Sequence, residues 1–273
     1  MYLNHGGKMK KILELYTGLL TAWPTVIDFK FPQMLIPPQL RTPSRRLQLA
    51  AFPLLGGLCG LLLTVLCCFT SHVFNPVAGG FIFAVLALLF LEAKDSGRGL
   101  GLLLSFFLAK VDGFPWRETL PRLSSDPGRP LANPLGAIFL SLLEICKLLL
   151  LFSLALFHAP YWITVVLCGS FAMQAYLMML PQVGKNVPFL AVSPDNRQFL
   201  WYGTVPFGLV SLLLFPFGTI AAIVFFFIFM RFTERVLREE LQGVTADMIT
   251  FAGTITEHVL LLIGIFLAIH KLG

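Results

Sequence analysis

Residues 49–70 read LAAFPLLGGLCGLLLTVLCCFT and contain no charged side chain. This stretch is long enough to cross a bilayer, because a membrane-spanning helix takes about 20 apolar residues. The rest of the chain is similar in character. Of its 273 residues, 57% are hydrophobic and only 12% are charged, against about 25% charged residues in an ordinary soluble domain. The sequence therefore predicts an all-α integral membrane protein whose helices form a polytopic bundle.

Six apolar runs determine the expected number of spans. They are Leu49–Thr70, Val73–Leu91, Leu135–Phe157, Tyr161–Leu180, Phe199–Met230 and Phe251–Ala268. The fifth run is long for one span and short for two. Pro216-Phe217-Gly218 interrupts it with residues that a helix interior tolerates poorly. We interpret this run as a tight hairpin of two short spans, which gives about seven spans in all, with six to eight possible.

The distribution of lysine and arginine indicates the orientation of the chain. Basic residues precede the first span and follow the second, the fourth and the hairpin, whereas the loops Ser71-His72 and His158-Ala159-Pro160 contain none. We therefore expect the N-terminus and the large loops on the cytoplasmic side of the cell inner membrane and the C-terminus outside. The net charge of +6 follows from this bias and from anionic lipid headgroups. The expected partner is the lipid bilayer, and no nucleic acid is expected.

The chain divides into an N-terminal cytoplasmic arm, residues 1–48, and a membrane domain, residues 49–273. Within the arm, the apolar residues of Met9–Leu20 recur on one helical face, which predicts a helix lying on the inner interface. The membrane domain includes a cytoplasmic loop at residues 92–134. The apolar part of this loop, Gly99–Ala109, is too short to span and predicts a re-entrant or interfacial segment.

Acidic residues are scarce, and most lie on the expected cytoplasmic side. Carboxylates at a boundary between water and membrane suit Mg²⁺, which prefers oxygen ligands and bridges carboxylates to substrate phosphates. The alternative to a functional role is structural: charged residues are located in the loops because membrane spans do not tolerate them. We favour a functional role for Asp112 and Asp247, although Thr245 could also cap the last helix with Asp247 in its first turn.

Glu144 and Lys147 are ionisable residues inside the third span. Their spacing of three (147 − 144) puts them on one helical face, where they can pair. A charge at mid-membrane costs about 2.5–3.5 kcal/mol on insertion scales, so such residues normally face the interior of a bundle. They are either a cationic anchor for a phosphate or a buried structural pair, and the sequence does not distinguish these roles.

The C-terminal part reads Gln242-Gly243-Val244-Thr245-Ala246-Asp247, with Glu257 ten residues after Asp247. This stretch resembles the end of the cobalamin synthase family, in which a Gly-Gly-x-Thr-Gly-Asp block precedes a helix that carries a glutamate at the same spacing. Four other parts resemble that family: Leu19–Pro24, Phe52–Gly56, Gly136 with Lys147, and the stretch from Asn186-Val187 to Asp195–Gln198. The resemblance covers nearly the whole chain.

The chain departs from the family in its acidic motif, Asp-Gly-x-x-Asp-x-x-Asp-Gly. Only the last pair is present, as Asp112-Gly113, and the positions of the earlier acids hold Ser105 and Ala109. Asp126 lies three residues early for the next family block, and Lys94-Asp95-Ser96 supplies a similar tripeptide elsewhere. Fewer carboxylates imply weaker Mg²⁺ binding unless Glu92, Asp95 or Asp126 substitutes.

The resemblance implies a transferase of the last steps of cobalamin biosynthesis. Such an enzyme joins α-ribazole or its 5′-phosphate to adenosylcobinamide-GDP, releases GMP and requires Mg²⁺. It implies Asp112 and Asp247 as metal ligands with Asp126 or Asp95 as a third, Lys147 as a phosphate contact and Glu257 as the residue that orients the site. Two alternatives stay open: a non-catalytic relative that binds or scaffolds at the membrane, and a small transporter, which requires charges along a path at mid-membrane.

Overall fold

The computed structural model describes residues 45–94, 97–119, 134–180, 197–236 and 244–269. These residues fold into α-helices, and the part of the chain that is described contains no β-strand. The helices are α1 (Arg45–Val73), α2 (Pro76–Ala93), α3 (Arg98–Val111), α4 (Trp116–Thr119), α5 (Pro134–Leu156), α6 (Trp162–Leu177), α7 (Arg197–Leu214), α8 (Pro216–Arg235) and α9 (Ala246–Ile269).

The helices confirm an all-α membrane protein. Within the described ranges, five of them are long and apolar enough to cross a membrane, namely α1 from Ala50 onward, α2, α5, α8 and α9. The apolar helices α6 and α7 are shorter. The expected number of about seven spans includes these two shorter helices and stays a prediction. The predicted interfacial helix Met9–Leu20 lies outside the described residues.

The predicted interruption of the Phe199–Met230 run is confirmed. Helix α7 ends at Leu214 and α8 begins at Pro216, with only Phe215 between them. Pro216 suits this place, because the first residue of a helix needs no N–H donor. The hydroxyl oxygens of Ser211 and Thr219 are 2.6 Å apart, and the rings of Trp201 and Phe227 stack with centroids 5.5 Å apart. The two pairs lie at equal or nearly equal distances from Phe215 (4 and 4 residues, 14 and 12 residues), so α7 and α8 form an antiparallel hairpin.

The short connections lie together at one end of the bundle, which we call the turn end. Helix α1 runs antiparallel to α6, since Thr64 Oγ1 donates to Pro160 O at 3.1 Å while Gly56 faces Leu167. Helix α6 in turn runs antiparallel to α9, since Trp162 Nε1 donates to Leu260 O at 2.7 Å while Ser170 Oγ donates to Gly253 O at 2.9 Å. Helices α1, α5, α7 and α9 therefore begin at the opposite end, the loop end. The cytoplasmic location of the loop end stays a prediction.

Helices α2 and α3 act as one interrupted crossing of the bundle. Lys94 follows the last residue of α2, and Gly97, in the left-handed conformation with φ 72°, precedes α3. The ring of Phe106 on α3 lies 5.1 Å from that of Phe251 near the start of α9, and Phe107 stacks on Phe139 of α5 at 4.0 Å. Helix α3 thus occupies the loop-end half of the bundle. It has 14 residues and is too short to span alone, as predicted.

A close contact between the backbones of α1 and α6 predicts a large effect of adding one methyl group. A Cβ on Gly60 would lie 2.4 Å from Thr164 Cα of α6, whereas a Cβ on Gly208 would meet nothing within 4 Å. Two helix backbones packed this closely cannot separate without losing contacts along both helices. We expect Gly60→Ala to destabilise the protein by about 1–3 kcal/mol, measured by thermal unfolding in detergent, and Gly208→Ala to have little effect. Equal melting temperatures for the two variants would contradict this packing.

Candidate functional site

Four charged side chains meet inside the bundle, and we call them the ion cluster: Glu92, Lys94, Lys147 and Glu257. Lys147 Nζ lies 2.5 Å from Glu92 Oε1 and 2.9 Å from Glu257 Oε1. Lys94 Nζ contacts Glu257 Oε2. Lys94, Lys147 and Glu257 are at most 4% exposed, whereas Glu92 is 23% exposed. The cluster therefore joins α2, α5 and α9 through alternating charges, and Glu92 is its most accessible member.

The ion cluster lies near the middle of the long helices. Lys147 is 13 residues from the start of α5 (147 − 134), and Glu257 is 11 residues from the start of α9 (257 − 246). At 1.5 Å per residue these positions are about 20 Å and 17 Å along the two helix axes. Charges at such depth are costly unless they are paired. The contacts between oppositely charged side chains reduce that cost.

The interruption between α2 and α3 brings Lys94 to this depth. Because α2 ends at Ala93, Lys94 stands at a helix C-terminus, where the helix dipole favours a cation. Its ammonium group also lies 5.8 Å from the ring centroid of Phe171 on α6, a contact that favours a desolvated cation. Local structure and packing therefore both stabilise a buried lysine here.

Two predicted site residues, Lys147 and Glu257, are in direct contact. The pairing of Lys147 with Glu144, which their spacing allowed, is not the pairing observed. Lys147 instead contacts Glu92 and Glu257 on neighbouring helices, because its long side chain reaches across the helix interface. Among the described residues, Glu144 Oε1 is buried and has no hydrogen-bond partner.

Asp112 and Asp247 lie apart from the ion cluster. Asp112 is exposed and directly follows α3, and Asp247 is in the first turn of α9. Met248 N donates to Thr245 Oγ1 at 3.3 Å, which confirms the predicted cap. Lys94, before α3, contacts Glu257, and Phe106 of α3 contacts Phe251, so α3 runs antiparallel to α9 and both aspartates are at the loop end. Asp247 is ten residues, about 15 Å along the helix, from Glu257. The predicted site therefore consists of two groups at different depths.

The predicted Mg²⁺ site stays a prediction. Asp112 and Asp247 supply the oxygen donors that Mg²⁺ prefers, and they occupy the same end of the bundle. The other two predicted ligands, Asp95 and Asp126, lie outside the described residues. Within the described ranges, no three His, Cys, Asp or Glu side chains are grouped so that they could hold a metal ion.

Two residues of this region were not predicted from the sequence, Lys94 and His258. His258 Nδ1 lies 2.8 Å from Thr254 O, and its Nε2 is buried without a hydrogen-bond partner among the described residues. The only available signal was the presence of an ionisable side chain in or beside an apolar run. That signal does not indicate how deep the side chain lies in the bundle, because this depth depends on how the helices pack.

A separate apolar cavity of about 110 Å³ lies between α6, α7, α8 and α9. Trp201, Phe207 and Phe226 are among the residues that line it. Its hydroxyl groups on Ser211 and Thr219 bind each other. It therefore presents mainly surface for an apolar group, together with the free, buried thiol of Cys168.

Comparisons with known proteins add no further assignment. No family model matches the sequence, and neither a curated protein nor a solved structure is significantly similar to it. The resemblance to the cobalamin synthase family therefore depends on the motifs quoted above.

Proposed function

We propose that the protein is a membrane transferase of the cobalamin synthase kind. It would join α-ribazole or its 5′-phosphate to adenosylcobinamide-GDP and release GMP. The observation that carries the proposal is the contact between Lys147 and Glu257. Separate motifs single out these residues, which are 110 positions apart (257 − 147), and their charged atoms lie 2.9 Å apart.

The proposed reaction is a displacement at phosphorus. A free ribose hydroxyl of the ribazole attacks the phosphorus linked to cobinamide and loses its proton to solvent, and the bond from this phosphorus to the GMP oxygen breaks, so that GMP leaves. Such reactions are accelerated mainly by positioning and by charge stabilisation. Mg²⁺, when bound, would neutralise charge on the pyrophosphate. Asp112 and Asp247 would hold it, with Asp126 or Asp95 as a third ligand.

Lys147 would contact a substrate phosphate by exchanging one of its carboxylate partners. Glu92 is the candidate for exchange, since its side chain is 23% exposed while Glu257 is 1% exposed. Glu257 would stay in place and orient both Lys94 and Lys147. This arrangement gives each charged member of the ion cluster a distinct role.

The test is GMP release by purified protein supplied with both substrates and Mg²⁺. We expect Asp112→Asn and Asp247→Asn each to lower turnover by about 100-fold or more, the size of loss found when an electrostatic group of a transition state is removed. Glu118→Gln is the matched control, because Glu118 is an exposed acid on the short helix α4. Unchanged turnover in both aspartate variants would reject the metal assignment. No turnover by the wild type would favour the non-catalytic relative.

A small transporter is the second candidate, and the depth of the ion cluster favours it. Transporters place their binding sites near the middle of the membrane, at helices that are interrupted there. Helices α2 and α3 are interrupted beside Lys94. Solute uptake into proteoliposomes by wild-type protein that releases no GMP would support this candidate over the transferase.

A further inference from the structure

The ion cluster is electrically balanced without Glu144. Lys94 and Lys147 supply two positive charges, and Glu92 and Glu257 supply two negative charges. Glu144 lies within electrostatic range of Glu92, Lys147 and Glu257. An ionised Glu144 would therefore add an uncompensated negative charge to a region where two other carboxylates are already present.

No other described group near Glu144 supplies the missing positive charge. Lys147 is already in contact with two carboxylates, and Lys94 is in contact with Glu257. His258, which lies within electrostatic range of Lys147, Glu257 and Glu92, is better suited to be neutral. Its Nδ1 must carry the hydrogen, since its neighbour Thr254 O can only accept. A second proton on Nε2 would then be a buried donor without a partner among the described residues.

From this charge balance and from the unpartnered oxygen of Glu144, we infer that Glu144 is a proton-binding site. With a proton, Glu144 is neutral, and its buried Oε1 then carries no uncompensated charge at this depth in the bundle. The ligand of this site is a proton taken from the loop end, toward which side chains of α5 point. The inference concerns a different residue and a different reaction from the proposed transfer.

Release of the proton would couple Glu144 to the ion cluster. An ionised Glu144 has Lys147 three positions away on the same helical face. Lys147 could pair with Glu144 only by weakening its contacts with Glu92 on α2 and Glu257 on α9. Proton occupancy of Glu144 would thus control how firmly α5 is bound to α2 and α9.

The direct test is infrared spectroscopy of the purified wild-type protein in lipid nanodiscs at pH 7. We expect a C=O stretch of a protonated carboxyl group that shifts in D₂O, is lost in Glu144→Gln and is retained in the control Glu118→Gln. Absence of this band from the wild type, or its persistence in Glu144→Gln, would overturn the inference. The spectrum is independent of GMP release, so failure of the proposed function does not affect this test.

Stability measured against pH provides a second readout. A free glutamate ionises at about pH 4.3, so above that pH the unfolded chain releases a proton that folded Glu144 keeps. The folded state then binds more protons than the unfolded state, and stability falls as pH rises. We expect Glu144→Gln to reduce this fall relative to the wild type as the pH rises above the range in which a free glutamate ionises. Parallel stability curves for the two proteins would contradict the inference.

Discussion

Replacing Glu257 by glutamine is expected to destabilise the folded protein by about 3–5 kcal/mol, the usual cost of removing one partner from a buried ion pair. Glu257 is 1% exposed and its two carboxylate oxygens contact two lysines. Among the described residues, the amide of glutamine leaves Glu92 as the carboxylate in direct contact with these lysines. The loss is measured as a shift of the unfolding transition in detergent.

Two further variants separate the loss of charge from a general disturbance of packing. Glu118→Gln removes an exposed carboxylate from the same chain and is expected to leave stability nearly unchanged. Lys94→Met combined with Glu257→Gln removes one charge of each sign, so the double variant should be more stable than the sum of the single losses predicts. Additive losses would mean that Lys94 and Glu257 do not interact as described.

Truncating Trp162 to alanine is expected to cost about 3–5 kcal/mol, the range for removal of a large buried aromatic side chain. Trp162 is 1% exposed. Its indole lies over Gly264 and Gly218, whose added Cβ atoms would come within 3 Å of it. It also meets the ring of Phe215 edge-on, with centroids 5.9 Å apart. This one side chain therefore packs α6 against α9 and against the start of α8.

Trp201→Ala is the matched control, because Trp201 is 36% exposed and, among the described residues, stacks on the ring of Phe227. Its loss should be clearly smaller than that of Trp162→Ala in the same unfolding assay. Trp162→Phe keeps an aromatic ring but removes the N–H that donates to Leu260 O, and it should fall between the two. A larger loss for Trp201→Ala would show that the turn end is not packed as described.

Features that depend on local chemistry could be predicted from the sequence. The apolar runs predicted the membrane helices, since the bilayer excludes charge wherever packing does not compensate it. Pro216 predicted the break between α7 and α8, and Thr245 predicted the start of α9. Each of these signals depends on only a few neighbouring residues, so it predicts the local structure whatever the packing of the helices.

Features that depend on how the helices are packed could not be predicted in this way. Glu92 and Lys94 follow an apolar run and were therefore expected at the membrane surface. Helix α2 has 18 residues whereas α5 has 23 and α9 has 24, and α2 ends opposite the middle of its longer neighbours. Only the contacts among these three helices reveal that depth. The contact between Lys147 and Glu257 likewise required a structure, although both residues were predicted separately.

The position of Lys94 at the end of α2, not within it, bears on how the chain enters the membrane. Residues 76–91 form an uninterrupted apolar segment, because Glu92 and Lys94 follow it. This segment can therefore insert into the membrane without carrying a charge to mid-membrane. Two of the four charges in the ion cluster therefore reach the centre of the protein when inserted helices assemble. Glu92 and Lys94 become buried when the helices assemble, because α5 and α9 then supply the opposite charges. They are not buried earlier, when α2 enters the lipid.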